Sequence, residues 1–318
     1  MNNRKTLITG ITGFVGSNLA PYLHQKGSGE ITGLVREQSV VPESVKHSAA
    51  TLVTNNQLTG SQYTNYIHLA GKAHDLKGVS DEQSYFDVNY GMTKRLFDRF
   101  LEDEAAELFV FMSSVKAVSD SPEGVLDESA EPNPVTAYGR SKLKAEEYIL
   151  ENCPPEKRVY VLRPCMIHGP GNKGNLNLLY SLVSKGIPWP LGLYDNSRSF
   201  LSVENLCFVI DQILEGEVES GVYHVADDGG LSTTELISII AEVSNKKARI
   251  WNVPKQLIQM TAKVGNILPL PLNEERLEKL TEDYLVSNEK LNKALGIERM
   301  PISAKEGMVN TLKDFESS

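Results

Sequence analysis

Short apolar runs alternate with longer amphipathic stretches through the first half of the chain. The runs are rich in β-branched residues and apolar on both faces, which is typical of buried parallel strands. Between them, apolar residues at helical spacing predict helices over residues 14–26, 89–104 and 137–151. This alternation predicts an α/β fold, a Rossmann-type doubly wound parallel sheet that binds ligands at the carboxyl ends of its strands. The predicted strands are TLITG, EITGLVR, ATLVT, YIHLA, LFVFMSS and RVYVLRP.

The pattern changes after Pro164. Loops rich in Gly, Pro and Asn follow, including HGPGNKGN and GIPWPLGLYDNS, and GVYHVAD is one further predicted strand. We therefore predict a cofactor-binding domain over residues 1–165, to which residues 199–228 return. A smaller α-rich lobe over residues 166–198 and 229–318 would bind the substrate.

Composition and charge narrow the classes of function. The 318 residues exceed what one compact core usually spans, and the net charge of −9 argues against binding to nucleic acid or an anionic membrane. Cys153, Cys165 and Cys207 lie far apart, which indicates free thiols in a reducing compartment. The first strand leaves no room for a signal peptide, and no apolar run reaches the ~20 residues that span a bilayer. We expect a soluble cytoplasmic protein.

Three glycines spaced three apart follow the first strand, at Gly10, Gly13 and Gly16, with a helix beginning near Phe14. Glycine at a strand end lets backbone N–H groups approach a phosphate, and the helix amino terminus adds partial positive charge. The spacing differs from the G-x-G-x-x-G of dehydrogenases, and a simple tight turn would also explain the glycines. Because the motif ends a strand and opens a βαβ series, we expect it to bind a dinucleotide.

The adenosine ribose of such a cofactor should meet the end of the second strand, about 20 residues further on. That position holds Arg36, in LVREQS. A guanidinium pairs with a 2′-phosphate or stacks on adenine, whereas a carboxylate would bind the ribose diol of NAD. We expect Arg36 to favour NADP over NAD, with a solvated surface arginine as the alternative. The neighbouring Glu37 leaves NAD open.

A tyrosine four residues before a lysine on one helix puts both side chains on the same face. There the ammonium lowers the pKa of the tyrosine and can bind the nicotinamide ribose. Only Tyr138 follows, by about two dozen residues, a strand that ends in Ser113 and Ser114. We expect Tyr138, Lys142 and a serine hydroxyl to meet over the nicotinamide, and the other two pairs to be ordinary helix surface. The spacing occurs at Tyr22 and Lys26, at Tyr90 and Lys94, and at Tyr138 and Lys142.

Six segments carry a resemblance to a known family: TGITGFVG, HLAG, VNYGMTK, MSSVKA, AYGRSKLKAE and VLRPCMIHGPG. Together they resemble the extended short-chain dehydrogenases/reductases, in the branch of NAD(P)-dependent nucleotide-sugar epimerases and dehydratases. Within it the chain is most similar to the bacterial surface-polysaccharide enzymes that act as UDP-sugar 4-epimerases or 4-keto reductases. The resemblance implies a UDP-sugar substrate and a homodimer through paired helices that include residues 89–104 and 137–151.

The resemblance also implies roles for single residues. Ser114 would bind the sugar O4, with Ser113 as the second candidate. Tyr138 would be the acid and base, with Lys142 as its electrostatic partner. Asn89 would be the structural asparagine of the following helix. The residues expected to line the cofactor are Gly10, Thr12, Gly13, Phe14, Val15, Gly16, Leu69, Ala70, Gly71, Pro164 and Ile167.

The UDP part of the substrate would lie in the second lobe, against Asn175 in KGNLNLL and Arg198 in NSRSFLSV. Arg276, in EERLEKL, is a candidate for a second diphosphate contact, with a helix-surface charge as the alternative. Arginine suits this task because its fork binds phosphate oxygens in pairs. The histidines have no metal-ligand spacing, and we expect no metal.

The chain departs from the family pattern at three places. Val115 and Lys116 follow Ser114 where dehydratases carry Asp-Glu, which argues against dehydration. VSD stands where the family often has Tyr-Gly. His168 replaces a common tyrosine before GPG, where we expect it to pack rather than to touch nicotinamide or substrate.

The expected function is 4-epimerisation of a UDP-hexose or UDP-N-acetylhexosamine through a 4-keto sugar. The nearest alternative is a one-way, NAD(P)H-dependent 4-keto reductase of a UDP-(6-deoxy)-sugar. A non-catalytic dinucleotide-sensing module and a small-molecule carbonyl reductase are alternatives from other classes.

Overall fold

A computed structural model describes residues 4–48, 51–58, 60, 62–72, 81–172, 175–216, 218–266 and 272–317. The strands are β1 (Lys5–Thr9), β2 (Glu30–Leu34), β3 (Thr51–Val53), β4 (Asn65–His68), β5 (Leu108–Met112), β6 (Val125–Leu126), β7 (Arg158–Pro164), β8 (Met166–His168), β9 (Arg198–Ser202), β10 (Gly221–Val225), β11 (Gly230–Leu231) and β12 (Leu285–Val286). The α-helices are α1 (Phe14–Lys26), α2 (Glu43–His47), α3 (Glu82–Tyr85), α4 (Thr93–Glu102), α5 (Ala137–Asn152), α6 (Asn175–Ser184), α7 (Val203–Glu215), α8 (Thr233–Val243), α9 (Lys255–Gly265), α10 (Glu274–Thr281), α11 (Glu289–Leu295) and α12 (Ala304–Ser317). Two 3₁₀ turns, Asn55–Gln57 and Val115–Ala117, and a π-helix, Phe86–Met92, complete the described elements.

Seven strands form the central sheet, in the order β10-β7-β5-β4-β1-β2-β3. Every neighbouring pair in it is parallel. The chain starts at β1, runs outward to β3 and crosses back to β4, so that the strand order reverses between β1 and β4. A doubly wound sheet binds its ligand at such a switch point. The predicted Rossmann-type fold is confirmed.

The strands are apolar on both faces because helices cover both sides of the sheet. Successive side chains of a strand point to opposite faces. Along β5, Val110 belongs to the core shared with α1 and α7, and Phe109 and Phe111 belong to the core shared with α4 and α5. Each residue of β5 is buried.

The helices predicted at residues 14–26 and 137–151 are present as α1 and α5. The helix predicted at residues 89–104 starts earlier and differently, because the π-helix Phe86–Met92 runs directly into α4. The wider winding of a π-helix breaks the 3.6-residue period on which the prediction rested. This π-helix carries Asn89 toward α5.

A second core lies outside the central sheet and joins side chains of α6, α8, α9, α10 and α12. Within residues 199–228, α7 packs on the central sheet and β10 joins its edge, while β9 pairs with β8 and β11 in a separate small sheet. The strands β6, β8, β9, β11 and β12, which lie outside the central sheet, were not predicted. The division into a cofactor domain and a substrate lobe stays a prediction.

Candidate active site

The turn between β1 and α1 requires glycine at two positions. Gly10 has φ +70°, and a Cβ on it would lie 2.6 Å from the backbone nitrogen of Ala70. A Cβ on Gly16 would lie 2.5 Å from the carbonyl oxygen of Gly10. Gly13 is the N-cap of α1 and supplies no side-chain cap, and the first turn of the helix holds no acidic residue. Backbone N–H groups at this cradle therefore fit the pyrophosphate of a dinucleotide.

The residues after β4 that were predicted to line the cofactor lie between this glycine turn and α5. The backbone nitrogen of Ala70 donates to Thr9 Oγ1 at 3.2 Å, which ties the segment to the end of β1. A Cβ on Gly71 would lie 3.1 Å from both Lys142 Nζ and Asn89 Oδ1. The structure thus brings the glycine turn, the segment 69–71 and Lys142 into one continuous surface.

His68, at the end of β4, links neighbouring segments of the site through hydrogen bonds of its ring. The sequence motif HLAG did not indicate this role. The Nδ1 of His68 lies 2.6 Å from Thr9 Oγ1, and its Nε2 lies 2.9 Å from Thr93 Oγ1. Thr93 donates its hydroxyl to the carbonyl oxygen of Asn89 at 2.5 Å, so it accepts from His68 Nε2. Burial lowers the pKa of His68 to about 3, which keeps the ring neutral. His68 therefore links the positions of Ala70 and Asn89.

Asn89 joins two segments of the site through its side-chain amide. Its Nδ2 donates to Ser141 Oγ at 3.0 Å and to the carbonyl oxygen of Lys72 at 3.1 Å, and its Oδ1 accepts from Lys72 N at 2.7 Å. Ser141 in turn donates to the carbonyl oxygen of Tyr138 at 2.8 Å. These contacts are those of a structural residue, in keeping with the role expected for Asn89.

The predicted catalytic side chains converge at the carboxyl end of β5. Ser114 follows that strand, and its hydroxyl faces the phenol of Tyr138 on α5. Burial raises the pKa of Tyr138, and the interaction with the Ser114 hydroxyl opposes the rise. One turn further along α5, Lys142 donates from Nζ to the carbonyl oxygen of Met112 at 2.7 Å. Burial lowers the pKa of Lys142 to about 8, so its ammonium remains charged at neutral pH.

The hydroxyl of Ser113, the second candidate for contact with the sugar O4, bonds to a different side chain. This is the buried carboxylate of Glu146, which also accepts from Arg163 Nη2 at 2.6 Å and from Arg163 Nε at 3.1 Å. The geometry therefore favours Ser114 over Ser113 as the hydroxyl that meets Tyr138. Glu146 and Arg163 were not predicted, although the glutamate stands one turn after Lys142 in the sequence.

The two other Tyr-x-x-x-Lys pairs lie elsewhere. Lys94 donates to Asp98 at 3.0 Å and to the phenol of Tyr148, on α5, at 2.6 Å. The Nζ of Lys26 lies 5.6 Å from the ring centre of Tyr22 on α1. That both pairs are ordinary helix surface stays a prediction.

The loop after β8 lies against the start of α1. Asn18 donates to the carbonyl oxygen of Pro170 at 3.3 Å, and Phe14 and Ile167 pack against the same core. Pro164 is buried at the end of β7. Thr12 is half-buried between Gly10 and Gly13, and Val15 packs beside Phe14. These predicted cofactor residues thus surround the amino terminus of α1.

Arg36 and Glu37 both lie exposed just beyond β2. Since β2 pairs with β1, this position is beside the glycine turn, where the adenosine end of a cofactor was expected. The backbone nitrogen of Arg36 donates to Ser39 Oγ at 3.2 Å, which fixes the turn but leaves the guanidinium at the surface. Both side chains are available to an adenosine ribose.

Arg198, at the start of β9, is held by Glu282. Its Nη2 lies 2.5 Å from Glu282 Oε1, and its Nε donates to the carbonyl oxygen of Glu282 at 3.3 Å. Of the other residues predicted to hold UDP, Asn175 begins α6, with its side chain outside the described residues. Arg276 is exposed in the first turn of α10, where its backbone nitrogen donates to the Asn273 side chain.

Lys116 lies between the Ser114 hydroxyl and Arg198. Its backbone nitrogen donates to Ser114 Oγ at 3.2 Å, while its Nζ donates to the carbonyl oxygen of Asp120 at 2.6 Å and lies 4.5 Å from the ring centre of Tyr284. Burial lowers its pKa, and the charges of Asp120, Glu282 and Arg198 also act on it. The sequence marked Lys116 only as a departure from the dehydratase pattern; its closeness to Arg198 depends on contacts with distant segments.

His168 is buried, and its Nδ1 lies 2.8 Å from Thr311 Oγ1 on α12. Its ring packs edge-on against Phe200. These contacts match the packing role expected for it. Among the residues that the structure describes, no three His, Cys, Asp or Glu side chains group as they would around a metal ion.

Comparison with known proteins places this site in a family. Residues 6–226 match the NAD dependent epimerase/dehydratase family. The UDP-glucose 4-epimerase of Vibrio cholerae is 30% identical over 260 residues, which cover 79% of this chain and 78% of that protein. The GDP-6-deoxy-D-talose 4-dehydrogenase of Aggregatibacter actinomycetemcomitans is 26% identical over 253 residues, 77% of this chain and 82% of that protein.

Among solved structures, the UDP-glucose 4-epimerase of Thermotoga maritima, crystallised with UDP-glucose, superposes with a TM-score of 0.77 at 18% identity. That likeness covers 98% of this chain and 99% of the other, and it shows the fold. The family match spans the glycine turn, Ser114, Tyr138 and Lys142. The chain therefore belongs to the NAD dependent epimerase/dehydratase family and is an NAD(P)-dependent enzyme of sugar nucleotides.

Proposed function

We propose that the protein is a 4-epimerase of a UDP-hexose or UDP-N-acetylhexosamine and works through a 4-keto sugar. The observation that carries the proposal is the convergence of Ser114, Tyr138 and Lys142 at the carboxyl end of β5, beside the glycine turn. The similarity to the V. cholerae UDP-glucose 4-epimerase supports the choice of reaction and nucleotide.

Three side chains would act together at the sugar O4. Tyr138 removes the O4 proton and returns it, and Ser114 hydrogen-bonds the same oxygen, which stabilises the charge that develops there. The Lys142 ammonium, one helical turn away, favours the phenolate form of Tyr138. When bound, the nicotinamide would accept the hydride of sugar C4 and return it. An epimerase needs the keto sugar to turn over between these two events, so that its other face is presented.

That turning requires a firmly held nucleotide and a loosely held sugar. Arg198 would bind the diphosphate, since Glu282 fixes the guanidinium in one orientation and the Nη1 edge can still pair with phosphate oxygens. Asn175 and Arg276 would complete the UDP contacts from α6 and α10.

Two further features belong to the same proposal. Arg36 would favour NADP by pairing with its 2′-phosphate, although the family name and the nearby Glu37 leave NAD open. The protein would form a homodimer through residues 89–104 and 137–151, where Met92 at the end of the π-helix and Leu150 on α5 are exposed apolar side chains.

One observation favours a second function, a one-way 4-keto reductase with the same catalytic residues. Lys116 adds a cation between Ser114 and Arg198, and an ammonium that binds the sugar would oppose its turning. The similarity to the A. actinomycetemcomitans 4-dehydrogenase agrees with net redox chemistry. A reductase would then consume one NAD(P)H for each 4-keto sugar.

The test is a panel of UDP-sugars incubated with and without added NADPH or NADH, with products resolved by NMR. An epimerase interconverts two UDP-sugars that differ at C4 with no net absorbance change at 340 nm. A reductase loses absorbance in step with a 4-keto substrate. Loss of NAD(P)H in that proportion, with no exchange at C4 on any UDP-sugar, would reject the epimerase and establish the reductase.

A further inference from the structure

Helix α9 is apolar on two opposite faces. At about 100° per residue, Ile258 and Ala262 fall on one side, and both are buried. Leu257, Met260 and Val264 fall within about 60° of one another on the opposite side, and all three are exposed, Met260 by 63%. A surface helix ordinarily carries polar side chains on the face away from the core. The outer stripe of α9 is therefore apolar without serving the core.

Two segments near α9 carry further exposed apolar side chains. Trp251, 57% exposed, accepts at its carbonyl oxygen from the backbone nitrogen of Gly192 at 3.1 Å, which places the exposed Leu193 beside it. Of the 13 large hydrophobic side chains exposed among the described residues, six fall within residues 187–193 and 251–264. Such clustering marks an interaction surface rather than scattered exposure. We call Leu193, Trp251, Leu257, Met260 and Val264 the α9 surface.

The segment that carries α9 is basic, whereas α10, which packs against α9, carries acidic side chains. Residues 245–266 hold five basic residues and no Asp or Glu, in a chain whose net charge is −9. All five are exposed, and none forms a salt bridge with another residue that the structure describes. The acidic side chains of α10 begin at Glu274, which bonds to Asn266 at the far end of α9. The basic residues are Lys246, Lys247, Arg249, Lys255 and Lys263.

We propose that the α9 surface docks the protein onto an anionic phospholipid bilayer. Tryptophan and aliphatic side chains on one face of a helix, with lysine and arginine around them, are typical of segments that lie in the membrane interface. The apolar side chains would enter the boundary between headgroups and acyl chains, and the bases would face the lipid phosphates.

This proposal departs from the sequence-based expectation of no membrane contact, which rested on net charge. Charges interact mainly within a Debye length of roughly 8–10 Å at physiological salt, so the basic residues of segment 245–266 act on a nearby lipid surface more strongly than distant acids of the chain do. No helix among the described residues is long and apolar enough to cross a bilayer, so the contact would be peripheral. The proposal does not depend on which sugar reaction the active site performs.

The experiment is co-sedimentation of the full chain with vesicles of phosphatidylcholine, with or without phosphatidylglycerol. We expect binding to the anionic vesicles, weaker binding to phosphatidylcholine alone, and loss of binding as salt is raised. The double variant Leu257→Gln, Met260→Gln should lower the partition coefficient about tenfold or more, because it removes two exposed apolar side chains from the interface. Leu178→Gln on α6 is the matched control, since that leucine is 64% exposed.

Charge is tested separately by Lys255→Gln, Lys263→Gln, with Lys305→Gln on α12 as its control. All variants should keep the far-UV spectrum and turnover of the parent, because the changed side chains are exposed and outside the site. Equal binding by the α9 variants and the parent would overturn the proposal. A second outcome would also overturn it. If the parent does not bind vesicles but self-associates with rising concentration, and the double variant abolishes that self-association, the surface would belong to a contact with a second copy of the chain.

Discussion

The environment of Lys142 predicts an unusual dependence of stability on pH. Its ammonium is buried and donates to the carbonyl oxygen of Met112 at 2.7 Å. Burial lowers the pKa of Lys142 to about 8 in the folded protein, whereas a lysine in the unfolded chain titrates near 10.4. Between these values the folded protein has lost the proton and the unfolded chain still holds it.

Unfolding in that window therefore takes up a proton, and the free energy of unfolding rises with pH. One pKa unit corresponds to about 1.4 kcal/mol, so the shift of Lys142 corresponds to about 3 kcal/mol. This contribution is fully present above the unfolded pKa and is lost as the pH falls through about 8. Below that pH the fold carries the cost of a buried charge, which the role proposed for Lys142 requires.

The assay is urea unfolding of nucleotide-free protein at several pH values from neutral to above 10, for the parent and for Lys142→Met. Subtracting the two curves cancels the titration of groups that both proteins share. The parent should gain about 3 kcal/mol relative to Lys142→Met across the window. Lys26→Met, at an exposed position on α1, is the control and should show no such trend. A flat difference for Lys142→Met would refute the assignment of a buried, destabilised ammonium.

Three further predictions concern the proposed site. Tyr138→Phe should lower turnover, measured by steady-state kinetics, by ~10²-fold or more, while cofactor titration should show nearly unchanged binding. A mild effect of Tyr138→Phe together with a large loss of turnover in Tyr90→Phe would contradict the role of Tyr138. Arg36→Ala should weaken NADP binding by about 1.5–3 kcal/mol and NAD binding less, measured by calorimetry, and equal losses would argue against a 2′-phosphate contact. Arg198→Ala should raise KM about tenfold or more with little change in kcat, because it removes binding shared by ground and transition states. The control is Arg4→Ala, which breaks another arginine–glutamate pair and should leave KM unchanged.

The fold and the order of the chemistry along it could be predicted because each depends on a short stretch of sequence. A β-branched run, a glycine triplet and a Tyr-x-x-x-Lys pair each have a local physical cause, and the structure brings them together at one edge of the sheet. The contacts of the second lobe could not be predicted in this way. Arg198 and Glu282 are 84 positions apart, and nothing in either segment indicates the other.

The two serines after β5 show where local inference ends. Consecutive residues in an extended chain point to opposite sides, so only one of the two hydroxyls can face Tyr138, and the sequence left both open. The choice depends on Glu146 two turns after Tyr138 on α5, because its buried carboxylate binds Ser113 and is itself fixed by Arg163 of β7. A buried carboxylate needs such partners, and the arginine that supplies them comes from a different strand. The residue types of the site thus follow from local sequence, but which serine hydroxyl faces Tyr138 follows from a tertiary ion pair that no local pattern predicts.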